Sequence, residues 1–228
     1  MATKKKTTKL ANLIIVDASG SMGDKVDEVK GGLKQLIEQI STDAKKDKKT
    51  TLSTTIITDF SSSSDFNILV QSKDSLDLDP SLADNYRPRA ATALYDAIAK
   101  TFSLLKDKHD SVFVNIITDG YENDSKEMNR ETLKALIESK KKENWVITFM
   151  CTTEQAMYDA QSLGISIGNT MTFANSAKGV KKSLSKLSKV RSAHYSATMD
   201  MANTDWMEQE KLRESMQTIV KDTEDGDE

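Results

Sequence analysis

The sequence predicts an α/β fold of three layers, in which helices cover both faces of a doubly wound, mostly parallel β-sheet with one antiparallel edge strand. Short apolar runs typical of buried strands alternate with segments whose apolar residues recur at three- and four-residue spacing, as in amphipathic helices. Two strand-like runs are separated only by a serine cluster at residues 61–64, which indicates a hairpin and hence the antiparallel strand. A chain of 228 residues, 37% of them hydrophobic, is long enough for one large domain with a proper core.

The first half of the chain is predicted to contain a buried strand, a helix and the hairpin. An apolar run that stops at Asp17 is the strand, and the apolar stripe of residues 26–40 is the helix, with Asp24 as its N-cap. Gly31 and Gly32 either weaken this helix or let it lie close against the sheet. The other elements predicted in this half are strands at 51–60 and 66–70 and a helix at 94–105.

Strands and helices alternate regularly in the second half. A nearly continuous apolar strand ends at Asp119, and a capping-box pattern from Thr152 to Gln155 begins a helix that Gly164 stops. The elements predicted here are strands at 112–118, 145–151 and 171–174, and helices that contain residues 133–137, 156–163 and 180–190.

Composition divides the chain into three parts. Residues 1–7 form a basic N-terminal arm, residues 8–197 form the α/β domain, and residues 198–228 form a polar tail. Apolar residues in the tail either form a short helix that docks on the domain or on a partner, or are scattered through a disordered stretch. The last residues are almost all acidic, so we expect them to be disordered.

The composition also argues against a membrane protein and a secreted protein. The sequence contains no run of about 18 apolar residues, so we expect no membrane-spanning segment. The basic N-terminus is followed by a strand-like segment, not by the apolar region and cleavage site of a signal peptide. The single cysteine, Cys151, cannot form an internal disulfide, and we therefore expect a cytoplasmic location.

The strand that stops at Asp17 is followed by oxygen-bearing side chains at alternate positions. Asp17, Ser19 and Ser21 lie in a turn that Gly20 and Gly23 make flexible. Three oxygen ligands that leave the end of a buried strand together are a suitable arrangement for a hard divalent cation such as Mg²⁺.

Two later segments should bring further oxygen ligands to the same place. Thr92 lies in the loop before the helix at 94–105, and Asp119 ends the strand at 112–118. Ligands in open α/β sheets bind beyond the carboxyl ends of the strands, where all three segments lie. Two carboxylates and three hydroxyls, without histidine or cysteine, favour Mg²⁺, Mn²⁺ or Ca²⁺ over zinc.

Each of these residues also has a simpler interpretation. Ser19 and Ser21 are common turn residues, Thr92 is an ordinary helix N-cap, and Asp119-Gly120 is a familiar hairpin pair. The hairpin interpretation is disfavoured because residues 122–130 have the pattern of a helix start. Taken together, the five residues favour a metal site, because all of them fall where strands give way to loops and helices.

The pattern Asp-x-Ser-x-Ser at Asp17, Ser19 and Ser21 resembles the first motif of the von Willebrand factor A (VWA) family, and the resemblance covers residues 10–197. In that family the motif, a distant threonine and a later aspartate form the metal-ion-dependent adhesion site (MIDAS), and Thr92 and Asp119 match by position. The resemblance implies direct coordination by the two serines. Thr92 would bind directly or through water, and the aspartates largely through water.

Two details qualify the resemblance. Ala90-Ala91 stands where relatives often carry glycine, which leaves the path of this loop open. Residues 56–59 repeat the Ile-Ile-Thr-Asp sequence of residues 116–119, but Asp59 is followed by a hairpin, so we assign it at most a supporting role. The segments 92–98 and 117–123 resemble small stand-alone VWA proteins of bacteria and their phages, which adds the virion to the cytoplasm as an expected location.

The predicted function is divalent-metal-dependent binding of a protein partner. Two carboxylates offset the charge of the ion and the hydroxyls add none, so a position stays open for an outside oxygen. In the VWA family, an aspartate or glutamate of the partner fills it. A neighbouring copy of the chain could supply that residue, which would produce self-association.

Two other functions compete with this one. A metal-assisted hydrolase lacks support, because the sequence has no nucleophile elbow, P-loop or dinucleotide motif, and we expect His109 and His194 to be solvated. Nucleic acid or another anionic partner could bind the basic segment from Lys178 to Arg191. We favour an amphipathic surface helix with a solvated lysine face for that segment, and we expect neither catalysis nor nucleic-acid binding.

Overall fold

The computed structural model describes residues 7–46 and 51–201, and a six-stranded sheet runs through their centre. The basic arm lies outside the described residues except for its last residue, and so does almost all of the acidic tail. The strands are β1 (Thr8–Asp17), β2 (Thr51–Phe60), β3 (Phe66–Ser72), β4 (Ser111–Ile117), β5 (Trp145–Cys151) and β6 (Thr170–Thr172). The α-helices are α1 (Val26–Lys46), α2 (Leu94–Leu104), α3 (Arg130–Lys141), α4 (Glu154–Ser162) and α5 (Ala177–Met201).

The strand order is β3-β2-β1-β4-β5-β6, and every neighbouring pair is parallel except β2 and β3. The predicted mostly parallel sheet with one antiparallel edge strand is therefore confirmed. The chain leaves β1 toward β2 on one side and returns to β4 on the other, so β1 lies where the winding direction changes. The carboxyl ends of β1 and β4 lie side by side there, with Val16 paired to Ile117.

Two apolar clusters hold the layers together, one on each face of the sheet. Helices α1 and α5 bury one cluster, and α2, α3 and α4 bury the other. The strands read as continuous apolar runs because both faces are covered, as expected for a parallel sheet. Within residues 7–46 and 51–201, no helix is long and apolar enough to cross a membrane.

Several element boundaries differ from the predicted ones. Helix α3 begins at Arg130, and the residues from Gly120 to Asn129 are irregular, so the helix start predicted at residue 122 is wrong. Thr153, not Thr152, caps α4, because its side chain accepts a hydrogen bond from the Ala156 amide. Helix α5 extends past the predicted segment at both ends, while the division into arm, domain and tail stays a prediction.

The two adjacent glycines of α1 have opposite surroundings. A Cβ at Gly32 would lie 2.4 Å from Leu184 Cδ1 on α5, whereas a Cβ at Gly31 would meet nothing within 4 Å among the described residues. Gly32 therefore lets α1 pack closely against α5, rather than against the sheet.

We expect opposite effects when each of these glycines is replaced by alanine. Gly32→Ala should lower the free energy of unfolding by about 1–3 kcal/mol, because α5 must shift to admit the methyl group. Gly31→Ala should raise it by about 0.5–1 kcal/mol through helix propensity alone. Urea denaturation of the two variants measures the difference, and equal effects would contradict the close helix packing.

Helix α5 only partly matches the predicted amphipathic surface helix. Val180, Leu184, Leu187 and Val190 are buried, as predicted, and most of the lysines are exposed. Arg191, however, is only 1% exposed and forms an ion pair with Asp43 of α1. The predicted basic face therefore does not include its only arginine, because that side chain joins the two helices.

His194 is buried on the same helix, so the expectation that it is solvated is wrong. It is 3% exposed, its Nε2 lies 3.2 Å from Ser111 Oγ, and its ring packs against Phe113. Burial, together with the nearby Arg191 charge, lowers the pKa of His194 from 6.5 to about 3.

His194 should make the protein sensitive to acid. Below about pH 6.5 the unfolded chain binds a proton at this histidine, whereas the folded chain does not. The free energy of unfolding should therefore fall by about 1.4 kcal/mol for each unit by which the pH decreases. His194→Gln should remove that slope between about pH 6 and pH 4 in urea denaturation. His109 is half-buried and burial lowers its pKa as well, so His109→Gln is the comparison and should leave the contribution of His194 to the slope in place. An unchanged slope in His194→Gln would contradict the interpretation.

Candidate metal centre

Three segments of the chain meet at one edge of the sheet. β1 ends at Asp17, and β4 ends at Ile117, directly before Thr118 and Asp119. Because β1 and β4 are neighbouring parallel strands, both aspartates lie at the same edge. The third segment carries Thr92 and leads into α2. This edge lies at the change of winding direction, where open α/β sheets bind ligands.

Asp17 is buried, and both of its carboxylate oxygens accept hydrogen bonds. Oδ1 accepts from the Ser19 amide at 2.7 Å, and Oδ2 accepts from the Thr118 hydroxyl at 2.6 Å. Burial raises the pKa of Asp17 from 3.8 to about 6, although the bonds from Thr118 and Ser19 oppose this and the Asp119 charge adds to it. A buried carboxylate with a raised pKa would be stabilised by a cation, which is what a metal site requires.

Ser19, Ser21 and Asp119 form a short chain of oxygen atoms. The hydroxyl oxygens of Ser19 and Ser21 are 3.0 Å apart, and the Ser21 hydroxyl donates to Asp119 Oδ1 at 2.6 Å. Octahedral Mg²⁺ with metal–oxygen distances of about 2.0–2.1 Å places adjacent ligand oxygens about 2.9 Å apart. The separation of the two serine oxygens therefore fits adjacent ligands of one such ion. Ser21 lies in a 3₁₀ turn, Gly20–Lys25, whose tight path brings the two hydroxyls together.

Thr92 lies against the same site. A Cβ at Gly120 would lie 3.2 Å from Thr92 Oγ1 and 3.7 Å from Asp17 Oδ2, so these two oxygens border the same small space. The backbone of Thr92 is fixed by Asn123, whose side chain accepts from the Thr92 amide and whose amide donates to the Thr92 carbonyl. The structure thus brings together the side chains of all five predicted residues, Asp17, Ser19, Ser21, Thr92 and Asp119.

The loop after Asp119 is held by two carboxylates that the sequence analysis did not identify. Glu122 accepts hydrogen bonds from the Tyr95 amide at the start of α2 and from the backbone and side chain of Ser125. Asp96 accepts from the amides of residues 126–128. These bonds tie the Asp119 loop to the Thr92 loop. The polar residues 122–125 were the sequence signal for this hydrogen-bonded loop, but the same residue types also occur at the start of a helix.

Lys25 is a second residue that the sequence analysis missed. Its side chain is 3% exposed, and its Nζ donates to Asp119 Oδ2 at 3.1 Å, to the Ser21 carbonyl at 2.5 Å and to Asp24 Oδ1 at 2.9 Å. Burial acts to lower the pKa of Lys25, but the bonds to the two aspartates outweigh it and raise that pKa above its ordinary value. A fixed positive charge therefore lies beside one of the predicted ligands.

Asp59 supports the site from β2 without joining the predicted ligands. Its Oδ1 accepts from Arg89 Nη2 at 2.7 Å and from Asn67 Nδ2 at 3.0 Å. The Arg89 amide donates to the Ala18 carbonyl, which ties this loop to the turn after β1. The supporting role predicted for Asp59 agrees with these contacts.

The site combines a buried floor with an open rim. Asp17, Ser19 and Thr92 are buried, whereas Gly20 and Ser21 are exposed, so an outside group can approach from the serine side. Within the described ranges 7–46 and 51–201, no group of three or more histidine, cysteine, aspartate and glutamate side chains is placed to hold a metal. The donors that converge here are two carboxylates and three hydroxyls, and this oxygen-only set suits a hard divalent cation.

Comparisons by sequence identify no relative, because no family model and no curated protein matches the chain. Solved structures do match. The vWF domain of the type V pili tip protein Mfa5 from Porphyromonas gingivalis has a TM-score of 0.61 and 8% identity, and the match covers 80% of this chain and 95% of that chain. The chain has the VWA fold. The predicted resemblance to VWA domains is thereby confirmed at the level of the fold.

Two further matches extend over larger proteins. Pilus adhesin SpaC from Lactobacillus rhamnosus GG has a TM-score of 0.62 and 14% identity, with 81% of this chain and 30% of that chain covered. Proximal thread matrix protein 1 from the mussel byssus, with a zinc-occupied MIDAS motif, has a TM-score of 0.55 and 14% identity, with 82% and 46% covered. The chain with its VWA fold therefore spans less than half the length of either protein.

Proposed function

We propose that this chain is a metal-dependent protein-binding module. Asp17, Ser19, Ser21, Thr92 and Asp119 would hold one Mg²⁺, Mn²⁺ or Ca²⁺, and an aspartate or glutamate of a protein partner would complete its coordination. The observation that carries this proposal is the convergence of these side chains, with the serine oxygens at the 3.0 Å separation that adjacent metal ligands need.

The charge and exposure of the site support recognition of an acidic partner. A bound divalent cation would supply an electrophilic centre for a carboxylate oxygen. The carboxylates of Asp17 and Asp119 would offset the charge of the cation, while Ser19 and Ser21 would contribute neutral oxygens. The exposed rim at Ser21 leaves room for a side chain that belongs to another molecule.

The solved structures with the same fold support the same kind of function. A pilus adhesin, a pilus tip protein and a byssus matrix protein are among them, and the MIDAS of the last one holds zinc. For this chain we propose Mg²⁺ first because its oxygen-only donor set favours hard cations, and we propose a protein partner in the cytoplasm or in a virion. A second copy of the chain is one partner that would supply the acidic residue.

The described residues provide little of what a hydrolase would need at this site. His194 contacts Ser111 at the start of β4, and His109 lies just before that strand, so both are at the opposite end of the sheet from Asp119. The basic side chain in contact with the site is Lys25, and its Nζ already donates to three oxygens. Within the described part of the chain, neither histidine is therefore placed to act as a general base beside the candidate metal.

Affinity capture from the native host tests the proposal when it is run in parallel with Mg²⁺ and with EDTA. We expect proteins that are retained with Mg²⁺ to be lost with EDTA and with the Ser19→Ala variant. Ser103→Ala, at an exposed position of α2, is the matched control and should retain them. Identical capture under all of these conditions would contradict metal-dependent binding.

A further inference from the structure

A lysine is an unusual neighbour for a predicted cation site. Lys25 follows Ser21 by four residues, and its Nζ lies 3.1 Å from Asp119 Oδ2, the oxygen that does not bond to Ser21. The ammonium group thus occupies one side of a carboxylate that the proposed function assigns to a metal. Like charges repel at short distance, and the repulsion is stronger where water is excluded.

The position of Lys25 is closely determined. An ammonium group has three N–H donors, and those of Lys25 can meet three acceptors: Asp119, Asp24 and the Ser21 carbonyl. The side chain is 3% exposed, so the charge cannot move into solvent while these bonds are kept. Lys25 is therefore a built-in part of the site and not a surface residue that happens to be near it.

The nearby arginine does not have the same effect. Arg89 pairs with Asp59 and Asp65, so two carboxylates already offset its charge. Lys25 pairs with Asp24 as well, but the Asp24 side chain is 80% exposed and its charge is screened by water. Among the buried charges at the site, Asp17 and Asp119 contribute two negative charges and Lys25 one positive charge.

We propose that Lys25 weakens metal binding by the free protein, so that the ion is held firmly only when a partner adds its own carboxylate. This inference rests on the proposed function and deepens it. With Lys25 in place, the buried side chains carry a net charge of about −1, and a divalent cation leaves the site positive. A carboxylate of the partner offsets that excess positive charge. In a site without Lys25, the two aspartates already offset the charge of the ion, so no partner carboxylate is needed.

Binding of metal and binding of a carboxylate are then thermodynamically coupled. If the carboxylate strengthens metal binding, the metal strengthens carboxylate binding by the same factor. The protein would engage an acidic partner and the ion together, and it would hold neither tightly alone. Lys25 also donates a hydrogen bond to Asp119. The ammonium group therefore orients this carboxylate and offsets part of its negative charge.

The test compares the wild-type protein with Lys25→Met, which keeps an unbranched side chain and removes the charge. Titration with Mn²⁺, followed by electron paramagnetic resonance of the free ion, gives the affinity. We expect Lys25→Met to bind Mn²⁺ about tenfold more tightly or better. Lys34→Met, which removes a partly exposed lysine paired with Asp84, is the matched control and should bind like the wild type.

Acetate, used as a free carboxylate, provides a second measurement. At constant ionic strength set with chloride, we expect acetate to strengthen Mn²⁺ binding by the wild-type protein and to have a smaller effect on Lys25→Met. Lys25→Gln repeats both measurements with a polar side chain, and circular dichroism verifies that each variant is folded.

The outcomes separate this inference from the function on which it rests. Wild-type protein that binds Mn²⁺ as tightly as Lys25→Met, or more tightly, would overturn the inference and leave the metal site in place. Absence of Mn²⁺ binding in the wild type and in both Lys25 variants, with and without acetate, would overturn the proposed function together with it. Binding by the variants alone would support both.

Discussion

Asp17→Asn is expected to weaken Mg²⁺ binding at least about a hundredfold while leaving the metal-free protein folded. Asp17 supplies a buried negative charge that a cation would compensate, and asparagine has nearly the same shape without that charge. The oxygen of the introduced asparagine can still accept from the Ser19 amide. Thr118 can accept from the new amide group and turn its own hydroxyl toward the Gly120 carbonyl, which lies 3.2 Å away.

In the absence of metal, Asp17→Asn should not destabilise the folded protein, although it weakens metal binding. Burial raises the pKa of Asp17 to about 6, so the ionised carboxylate costs free energy in the folded state at neutral pH. Asparagine avoids that cost, and we expect a melting temperature in EDTA at least equal to that of the wild type. Calorimetric titration with Mg²⁺ and thermal melting in EDTA measure the two effects.

Asp27→Asn is the control for the loss of one acidic side chain. Asp27 is exposed in the first turn of α1, and its substitution should lower the Mg²⁺ affinity far less than Asp17→Asn does. Unaltered Mg²⁺ binding by Asp17→Asn would show that the ion, if bound, is held elsewhere. A variant that unfolds in EDTA would show that the charge of Asp17 stabilises the fold by itself.

The sheet and the turn after β1 could be predicted from sequence because their signals are local, and the expected sheet topology then placed Thr92 and Asp119 beside that turn. Buried strands appear as apolar runs, and a carboxylate followed by hydroxyls at alternate positions marks the end of one. Lys25 could not be predicted in the same way. A lysine at the start of a helix is normally solvated, and its contact with Asp119 joins residues 94 positions apart in the chain.

The burial of Arg191 and His194 could have been inferred from their helical spacing, but polar side chains at these positions made a solvated location the natural expectation. Val180, Leu184 and Leu187 are followed at helical spacing by these two residues, and all five are buried. The period of the stripe therefore continues past Val190, although the residue types change. Burial of an arginine also requires a partner, and the sequence alone does not indicate that Asp43 on another helix provides it.

The loop from Gly120 to Asn129 was mistaken for a helix start because both use the same residue types. Glu, Asp, Asn and Ser cap helices, and they also bond to backbone amides in loops. Here Glu122 and Asp96 bond to amides across two segments, and those bonds hold the loop beside α2. The choice between the two structures depends on where α2 lies, which is a tertiary feature.

The ion pair between Asp43 and Arg191 should give the largest effect on stability. Asp43 also accepts a hydrogen bond from Ser192 of α5, and bonds from Gln39 and Lys46 of its own helix hold the carboxylate in place. Asp43→Ala would leave the Arg191 guanidinium buried beside no opposite charge. We expect the free energy of unfolding to fall by about 3–5 kcal/mol, measured by urea denaturation at neutral pH.

A double-mutant cycle separates the ion pair from the simple loss of a side chain. In Asp43→Ala/Arg191→Met the buried charge is absent, so part of the lost stability should return, and the interaction energy between the two positions should be about 1–3 kcal/mol. Asp77→Ala is the matched control because its exposed pair with Lys45 should contribute less than about 1 kcal/mol. If the double variant is no more stable than Asp43→Ala, the cost comes from the other bonds of Asp43, and α1 and α5 are held together without help from Arg191.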